Sequence, residues 1–242
     1  MDKFSWTETP GPVAFPVARP GYPIIIAAAF VTAVLALLGL TAITLVSLGF
    51  TLFICYFFRD PDRVIPQKEG VVVSPADGRV LAVLKTADER FFDGPCLKIS
   101  IFMSVFNVHV NRIPCKGEVT NIVYHPGKFF SANLDKASDQ NERNAIFLKT
   151  EEGFQICVVQ IAGLIARRII CQLQVGDPVN RGERFGMICF GSRLDVYLPQ
   201  RVEPAVRVGD KVQAGTSVLG TLKQGKTEIS RAVEHPSNPI NP

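Results

Sequence analysis

Several kinds of residue pattern are absent from this sequence, and each absence removes a class of function. The formal net charge is only +4 and no run of lysine or arginine is present, so nucleic-acid binding is not expected. The six cysteines form no Cys-x-x-Cys pair, and none lies near a histidine at zinc-ligand spacing, so reduced thiols are expected and a metal site is not. The mild basic excess suits an anionic membrane surface.

Charge itself is missing from one long stretch, since no charged residue lies between Arg19 and Arg59. A single helix over the apolar part of that stretch would rise about 50 Å, well beyond a hydrocarbon core of about 30 Å. A break near Gly39 divides the stretch into two short spans, roughly 24–38 and 42–58. The sequence therefore predicts a membrane-associated helical hairpin.

The charges that flank this hairpin predict its orientation. Lys3 and Arg19 precede it, and Arg59 and Arg63 follow it, so both ends are expected in the cytoplasm. The remainder of the chain would then lie on the cytoplasmic face of the cell membrane. A secretory signal peptide is excluded because the apolar run is too long. A re-entrant or interfacial hairpin remains open, since each half is short.

The chain after the hairpin changes character. Short β-branched runs alternate with Gly, Pro and Asp turns, which predicts a mainly β domain. The polar segment Lys128–Asn144 predicts a loop instead. The predicted strands are Val71–Val73, Val80–Val83, Leu97–Phe102, Glu118–Val123, Phe154–Ile161 and Ile169–Leu173. The predicted divisions are an N-terminal segment 1–23, the hairpin 24–58, the β-rich domain 59–227 and a polar tail 228–242.

One pattern occurs twice in the second half of the chain. Val175–Val179 is followed by Gly182, and Val208–Val212 is followed in the same way by Gly215. In each copy a Gly-Asp pair favours a tight turn, after which an apolar residue returns to a strand. These units, with the turn Ser74–Val80, resemble the barrel-sandwich folds of biotinyl and lipoyl domains. The expected fold is therefore a barrel-sandwich-like β domain behind a helical hairpin.

The dipeptide Gly191-Ser192 is the first candidate for chemistry. Glycine lets another group approach the peptide carbonyl closely, and the serine hydroxyl lies one residue beyond that carbonyl. In a strained backbone the hydroxyl can attack its own preceding carbonyl and break the chain as an ester. A strand-like run, Phe185–Phe190, leads into the dipeptide. Taken alone, a Gly-Ser pair is more often an ordinary turn.

Short motifs elsewhere in the chain make the context specific. In order, they are Phe57–Pro61, Ser74–Gly78, Asn107–Pro114, Asn141–Asn144 and Phe190–Arg193. Together they resemble the short form of the phosphatidylserine decarboxylase family, from about residue 20 to about residue 225. The resemblance implies an enzyme that cuts itself between Gly191 and Ser192 into a larger β chain and a smaller α chain. It also implies that phosphatidylserine in the membrane is decarboxylated to phosphatidylethanolamine and CO2.

The resemblance also assigns roles to single residues. Ser192 becomes a protein-derived pyruvoyl group that forms a Schiff base with the substrate, so neither a metal nor pyridoxal phosphate is expected. Asp77 and His109 match the acid and the histidine of an Asp-His-Ser relay, with Asp77 bonded to His109. Arg112 stands where long-form members have a second histidine, so His109 is expected to serve both cleavage and decarboxylation. A homodimer is consistent with the family.

The residues alone leave open interpretations in which these side chains have no catalytic role. His109, in a β-like run Val105–Val110, could be a satisfied core histidine, and Asp77 could be an ordinary turn residue. A membrane-anchored adaptor with a barrel-sandwich domain is the alternative function, but it would carry a long heptad hairpin that this sequence lacks. A biotin or lipoyl carrier is disfavoured, because Lys211 and Lys226 lie in polar turns rather than between apolar residues.

Overall fold

The chain folds as an apolar helical hairpin followed by a mainly β domain. This architecture is seen in a computed structural model, and it confirms the mainly β fold class with an N-terminal helical part. The segments outside the described residues include Phe190, Lys226 and the predicted tail. The structure describes residues 17–130, 140–163, 168–189 and 191–222.

The hairpin begins with a 3-10 turn, Arg19–Gly21, and continues as α1 (Tyr22–Leu37) and α2 (Thr41–Phe57). The chain reverses between the helices at Gly39, whose φ of 70° lies in the left-handed region that glycine adopts without strain. The break lies where the sequence predicted it. The stretch Arg19–Leu37 is long and apolar enough to cross a membrane, with a mean hydropathy of 2.0, whereas α2 is shorter.

The two helices meet through hydroxyl groups. Thr32 Oγ1 lies 2.7 Å from Ser47 Oγ and 3.0 Å from Thr51 Oγ1, so α1 and α2 share hydrogen bonds across their contact. Most large apolar side chains of the hairpin are exposed, and no residue of α1 is buried. Exposed apolar shells and interhelical hydroxyl bonds are both typical of helices that pack in lipid.

The β domain contains short and long strands that are all paired antiparallel. An eight-stranded sheet has the order β13-β2-β3-β11-β7-β6-β5-β9, and two three-stranded sheets have the orders β1-β14-β12 and β4-β10-β8. The described strands are β1 (Val71–Val73), β2 (Gly78–Ala87), β3 (Pro95–Met103), β4 (Val110–Arg112), β5 (Gly117–His125), β6 (Arg143–Thr150), β7 (Gln155–Ala162), β8 (Ile169–Cys171), β9 (Pro178–Val179), β10 (Arg184–Ile188), β11 (Ser192–Pro199), β12 (Glu203–Pro204), β13 (Lys211–Val212) and β14 (Val218–Thr221).

The repeated Gly-Asp pattern forms the two edges of the large sheet. Gly176 and Gly209 have φ values of 89° and 96°, and each precedes an aspartate that closes its turn. Asp177 accepts a hydrogen bond from the backbone N–H of Gln174, and Asp210 closes the second turn in the same way. The short strands that follow, β9 and β13, are the outermost strands of the sheet.

Strand β11 lies near the middle of the large sheet, between β3 and β7. Its side chains alternate between two buried clusters. Leu194 and Val196 pack in the main core, whereas Tyr197 packs against Phe91 on the other face, with ring centroids 5.1 Å apart. Both faces of this strand are therefore covered.

All six cysteines are free, as predicted, and burial raises the pKa of Cys115 to about 12, which makes that thiol unreactive.

Candidate active site

The Gly191–Ser192 peptide lies where the chain enters β11. Ser192 is the first residue of the strand and is paired with Met103 on β3 and Ala162 on β7. Gly191 has a φ of 71°, in the left-handed region. A Cβ on Gly191 would meet nothing nearer than Val105, at 4.0 Å, so the backbone conformation and not crowding requires glycine. A glycine in a left-handed conformation that other residues rarely adopt thus immediately precedes a buried serine.

The Ser192 hydroxyl is held by a weak partner. It donates to the thioether sulfur of Met103 over 3.3 Å, in a fully buried position. A chain of buried amides leads up to the same sulfur, from Asn144 through Gln160 to Asn111, whose Nδ2 lies 3.8 Å from it. Because a thioether is a weak acceptor, the hydroxyl can turn away from Met103 at little cost.

His109 reaches the site from a loop and not from a strand. The predicted β-like run Val105–Val110 is wrong, since β4 begins only at Val110. The Asn107 side chain explains the difference. Its Oδ1 accepts hydrogen bonds from the backbone N–H and the hydroxyl of Ser104, at 2.9 and 2.8 Å, and so closes a turn in place of a strand.

The hydrogen bonds of His109 define its tautomer. The backbone N–H of Gly191 lies 3.3 Å from Nε2, and an amide can only donate, so Nε2 carries a lone pair. In a neutral ring the proton is then on Nδ1, which donates to the carbonyl oxygen of Asn107 over 2.9 Å. The basic nitrogen of His109 therefore faces the backbone amide of Gly191, the residue before Ser192.

The surroundings of His109 keep it neutral. Burial lowers its pKa to about 4, and the positive charge of Arg59 acts in the same direction, while the hydrogen bond to Asn107 partly opposes them. The ring packs on Phe57, the last residue of α2, with centroids 4.3 Å apart. The imidazole is thus neutral at neutral pH, and Nε2 keeps its lone pair.

Asp77 lies at the same end of the large sheet but does not touch His109. Its Oδ2 accepts from Arg63 over 2.8 Å, and its Oδ1 accepts from the backbone N–H of Ala214 over 2.7 Å. The expected bond between Asp77 and His109 is therefore not formed, because each group already has other partners. Burial raises the pKa of Asp77, and the bonds from Ala214 and Arg63 oppose that rise. Sequence reasoning missed Arg63 as a partner.

Arg112, in place of a second histidine, has a structural setting. Its guanidinium donates to Asp60 over 3.3 Å and to the carbonyl oxygens of Pro61 and Gly182. Asp60 also accepts from Arg184 over 2.7 Å. These groups are largely buried, so the cluster ties the segment after α2 to β4 and β10.

The opposite face of β11 carries a buried ion pair. Arg193, directly after Ser192, donates to Asp195 over 2.6 Å and to the hydroxyl of Ser100 over 2.8 Å. Lys98 lies 3.1 Å from the second oxygen of Asp195. This network joins the beginning of β11 to the neighbouring strand β3.

Metal ligands are not clustered in the parts of the chain that the structure describes, where no group of three His, Cys, Asp or Glu side chains could hold an ion. A buried serine lies one residue beyond a backbone amide that donates to a neutral histidine, which is an arrangement compatible with an enzyme that uses a serine nucleophile.

Comparisons with known proteins agree with this class and narrow it. The family model for phosphatidylserine decarboxylase matches residues 50–220. A phosphatidylserine decarboxylase proenzyme of Syntrophus aciditrophicus is 54% identical over 208 residues, covering 85% of this chain and 97% of that protein. One from Geotalea uraniireducens is 51% identical over 207 residues, covering 86% and 97%. The chain belongs to the phosphatidylserine decarboxylase family.

Proposed function

We propose that this protein cuts itself at Gly191–Ser192 and then decarboxylates phosphatidylserine to phosphatidylethanolamine and CO2. The observation that carries the proposal is the contact between His109 Nε2 and the N–H of Gly191, the residue directly before Ser192. Family membership supports the decarboxylase activity and does not favour the alternative of an adaptor without enzymatic activity.

Self-cleavage would begin with the Ser192 hydroxyl. His109 takes its proton, the oxygen attacks the carbonyl carbon of Gly191, and the Gly191–Ser192 amide bond breaks to leave an ester and a free amine. Elimination then releases the Gly191 carboxylate and leaves dehydroalanine at position 192. Water converts this residue into a pyruvoyl group and ammonia. The larger chain would end at Gly191, and the smaller chain would begin at position 192.

The residues present fit a pyruvoyl group at this position. Ser192 is fully buried, so a ketone formed there would be shielded from bulk water. Such a ketone supplies the electron sink that removal of an α-carboxylate from an amino acid requires. His109 is the candidate that returns a proton to the product carbon. Its low pKa keeps the ring neutral, so it would first take this proton from water or from the substrate amine.

The hairpin supports a place for the reaction at the membrane. The junction between α2 and the β domain lies directly beside His109, because Phe57 packs on its ring. A lipid headgroup at the base of the hairpin would therefore be close to the candidate site. The proposal places the β domain on the cytoplasmic face of the cell membrane, because basic residues flank the hairpin. It also includes the division of the chain into hairpin, β domain and tail. A homodimer is part of the proposal by family likeness alone.

The intact mass of the denatured protein tests this proposal directly. We expect two chains with the break at Gly191–Ser192, and a small chain whose N-terminal ketone is reduced by borohydride. The matched control is Ser192→Ala, which removes only the hydroxyl and should stay whole. A native chain that folds, binds phosphatidylserine vesicles and remains uncut would overturn the proposal. Loss of CO2 release in Ser192→Ala, with native activity intact, would link cleavage to turnover.

A further inference from the structure

The segment that joins the hairpin to the β domain, Phe57–Arg63, is here called the junction. It is unusually well fixed for a connection between two parts of a protein. Asp60 is only 6% exposed and receives bonds from two arginines of the β domain, Arg112 and Arg184. Arg184 also reaches Asp62 over 3.0 Å. The Asp60 ion pairs are largely buried on both sides, so they fix the junction against the β domain.

The two ends of the junction contact the two candidate groups of the site. At its start, the ring of Phe57 lies 4.3 Å from the ring of His109. At its end, Arg63 holds Asp77 through a hydrogen bond of 2.8 Å between side chains that are 13% and 11% exposed. One rigid segment therefore touches both members of the expected relay, although these members do not touch each other.

We propose that the junction is a positioning element of the active site, in which Phe57 orients the imidazole of His109 and Arg63 orients the carboxylate of Asp77. The inference rests on the proposed function, because it assigns Arg63 and Phe57 to the self-cleavage reaction. Neither residue touches the reacting atoms. Each acts through the group that it holds, while Asp60 and its arginines hold the junction.

The charges around Asp77 influence its pKa, so the pH dependence of cleavage can test the inference. A purely structural role of Arg63 would not change that pH dependence. Burial raises the pKa of Asp77, whereas the Ala214 N–H, Arg63 and the more distant Arg59 lower it. Removing Arg63 would leave burial less opposed, so the pKa would rise further. Asp77 would then lose its charge at a higher pH, and any step that needs the carboxylate would fail at a higher pH.

The test follows self-cleavage of the full chain, synthesised in a cell-free reaction with phosphatidylserine vesicles and sampled over time after a pH jump. We expect Arg63→Gln to move the acid limb of the rate profile to higher pH, so that cleavage is slower than in the native chain on that limb. Arg63→Lys keeps the positive charge but loses the planar guanidinium group. Its cleavage rate should therefore lie between those of Arg63→Gln and the native chain. Phe57→Leu should slow cleavage without moving the limb.

Arg90→Gln is the matched control, because Arg90 pairs with Asp88 on the surface away from the site. It should cleave like the native chain. Native rates and an unmoved limb in Arg63→Gln, or faster cleavage, would overturn the inference while leaving the proposed function intact. If Arg63→Gln does not fold, Arg63→Lys decides: a rate and profile equal to native would also overturn it. A native chain that never cleaves would overturn both proposals.

Discussion

The two faces of β11 hold consecutive residues in opposite ways. On one face, the Ser192 hydroxyl has a thioether as its partner, and the glycine before it adopts a left-handed backbone with a φ of 71°. On the other face, Arg193 is bound to a carboxylate and a hydroxyl by bonds of 2.6 and 2.8 Å. Both side chains are buried, so the difference comes from chemistry and not from exposure.

This contrast indicates how a strand can be both reactive and stable. A serine that must leave its ground-state position to attack a carbonyl benefits from a partner that is easily given up. The residue after it can be held strongly, because it does not need to move. Each face can therefore be perturbed separately, and the two should respond in different measurements.

Asp195→Asn should give the largest effect, on stability. It leaves Arg193 and Lys98 buried beside a neutral amide, and removing one partner of a buried ion pair costs about 3–5 kcal/mol. The measurement is chemical unfolding in a Ser192→Ala background, so that cleavage does not interfere. The surface change Arg90→Gln is the control, with an expected loss of about 1 kcal/mol or less. Equal losses in the two variants would contradict the contrast.

The pH dependence of self-cleavage tests the face of β11 that carries Ser192. Since burial lowers the pKa of His109 to about 4, the neutral base persists as the pH falls through the usual histidine range near 6.5. We expect the rate of self-cleavage to stay level through that range and to fall only at more acidic pH. Stability should weaken between the two values, because the unfolded chain takes up the proton first. A half-maximal cleavage rate near pH 6.5 would contradict a buried neutral His109.

Gly191→Ala should have a smaller effect, on the rate of cleavage. An L residue at a φ of 71° is strained by about 1–2 kcal/mol, and relaxing that strain would turn the scissile carbonyl. Cleavage should slow by about tenfold, since about 1.4 kcal/mol corresponds to that factor. The time course of chain splitting measures it. Gly153→Ala, at a φ of 83° in a turn with open space, tests the same strain away from the site and should cleave normally.

Met103→Leu should have the smallest effect. Leucine keeps the volume within the core, so the stability loss should stay below about 1.5 kcal/mol. The Ser192 hydroxyl loses only a weak acceptor, and cleavage should change little in rate. A severe loss of cleavage in a folded Met103→Leu chain would show that the thioether orients the serine. Unfolding curves and cleavage time courses on the same preparation separate these outcomes.

Much of the fold could be predicted because its signals are local. The uncharged stretch and its break at Gly39 predicted the hairpin, and β-branched runs predicted most of the long strands. Strand β6 was missed. Its first residues, Arg143 and Asn144, belong to a polar segment, and the buried Asn144 donates its amide hydrogen to Gln160 on β7. A tertiary partner of this kind leaves no local pattern.

The site shows the same limit. The Gly191-Ser192 pair and His109 were predicted by resemblance. The structure places His109 in contact with the Gly191 N–H, while the roles of all three residues stay predictions. The pairing of Asp77 with Arg63 could not be predicted, because either residue alone looks like an ordinary surface charge. Only the fold of the junction brings that arginine to the carboxylate, and only the Asn107 turn converts a β-like run into a loop.

The central position of β11 has a consequence for the protein after a cut at Gly191–Ser192. The smaller chain would supply β11, flanked on both sides by strands of the larger chain, and also β13 and β14, which pair with β2 and β1. The product would be a fragment-complemented protein in which one fragment runs through the middle of the other. Dilution could not separate such fragments without unfolding both, so the cut would remove a covalent bond but leave one inseparable molecule.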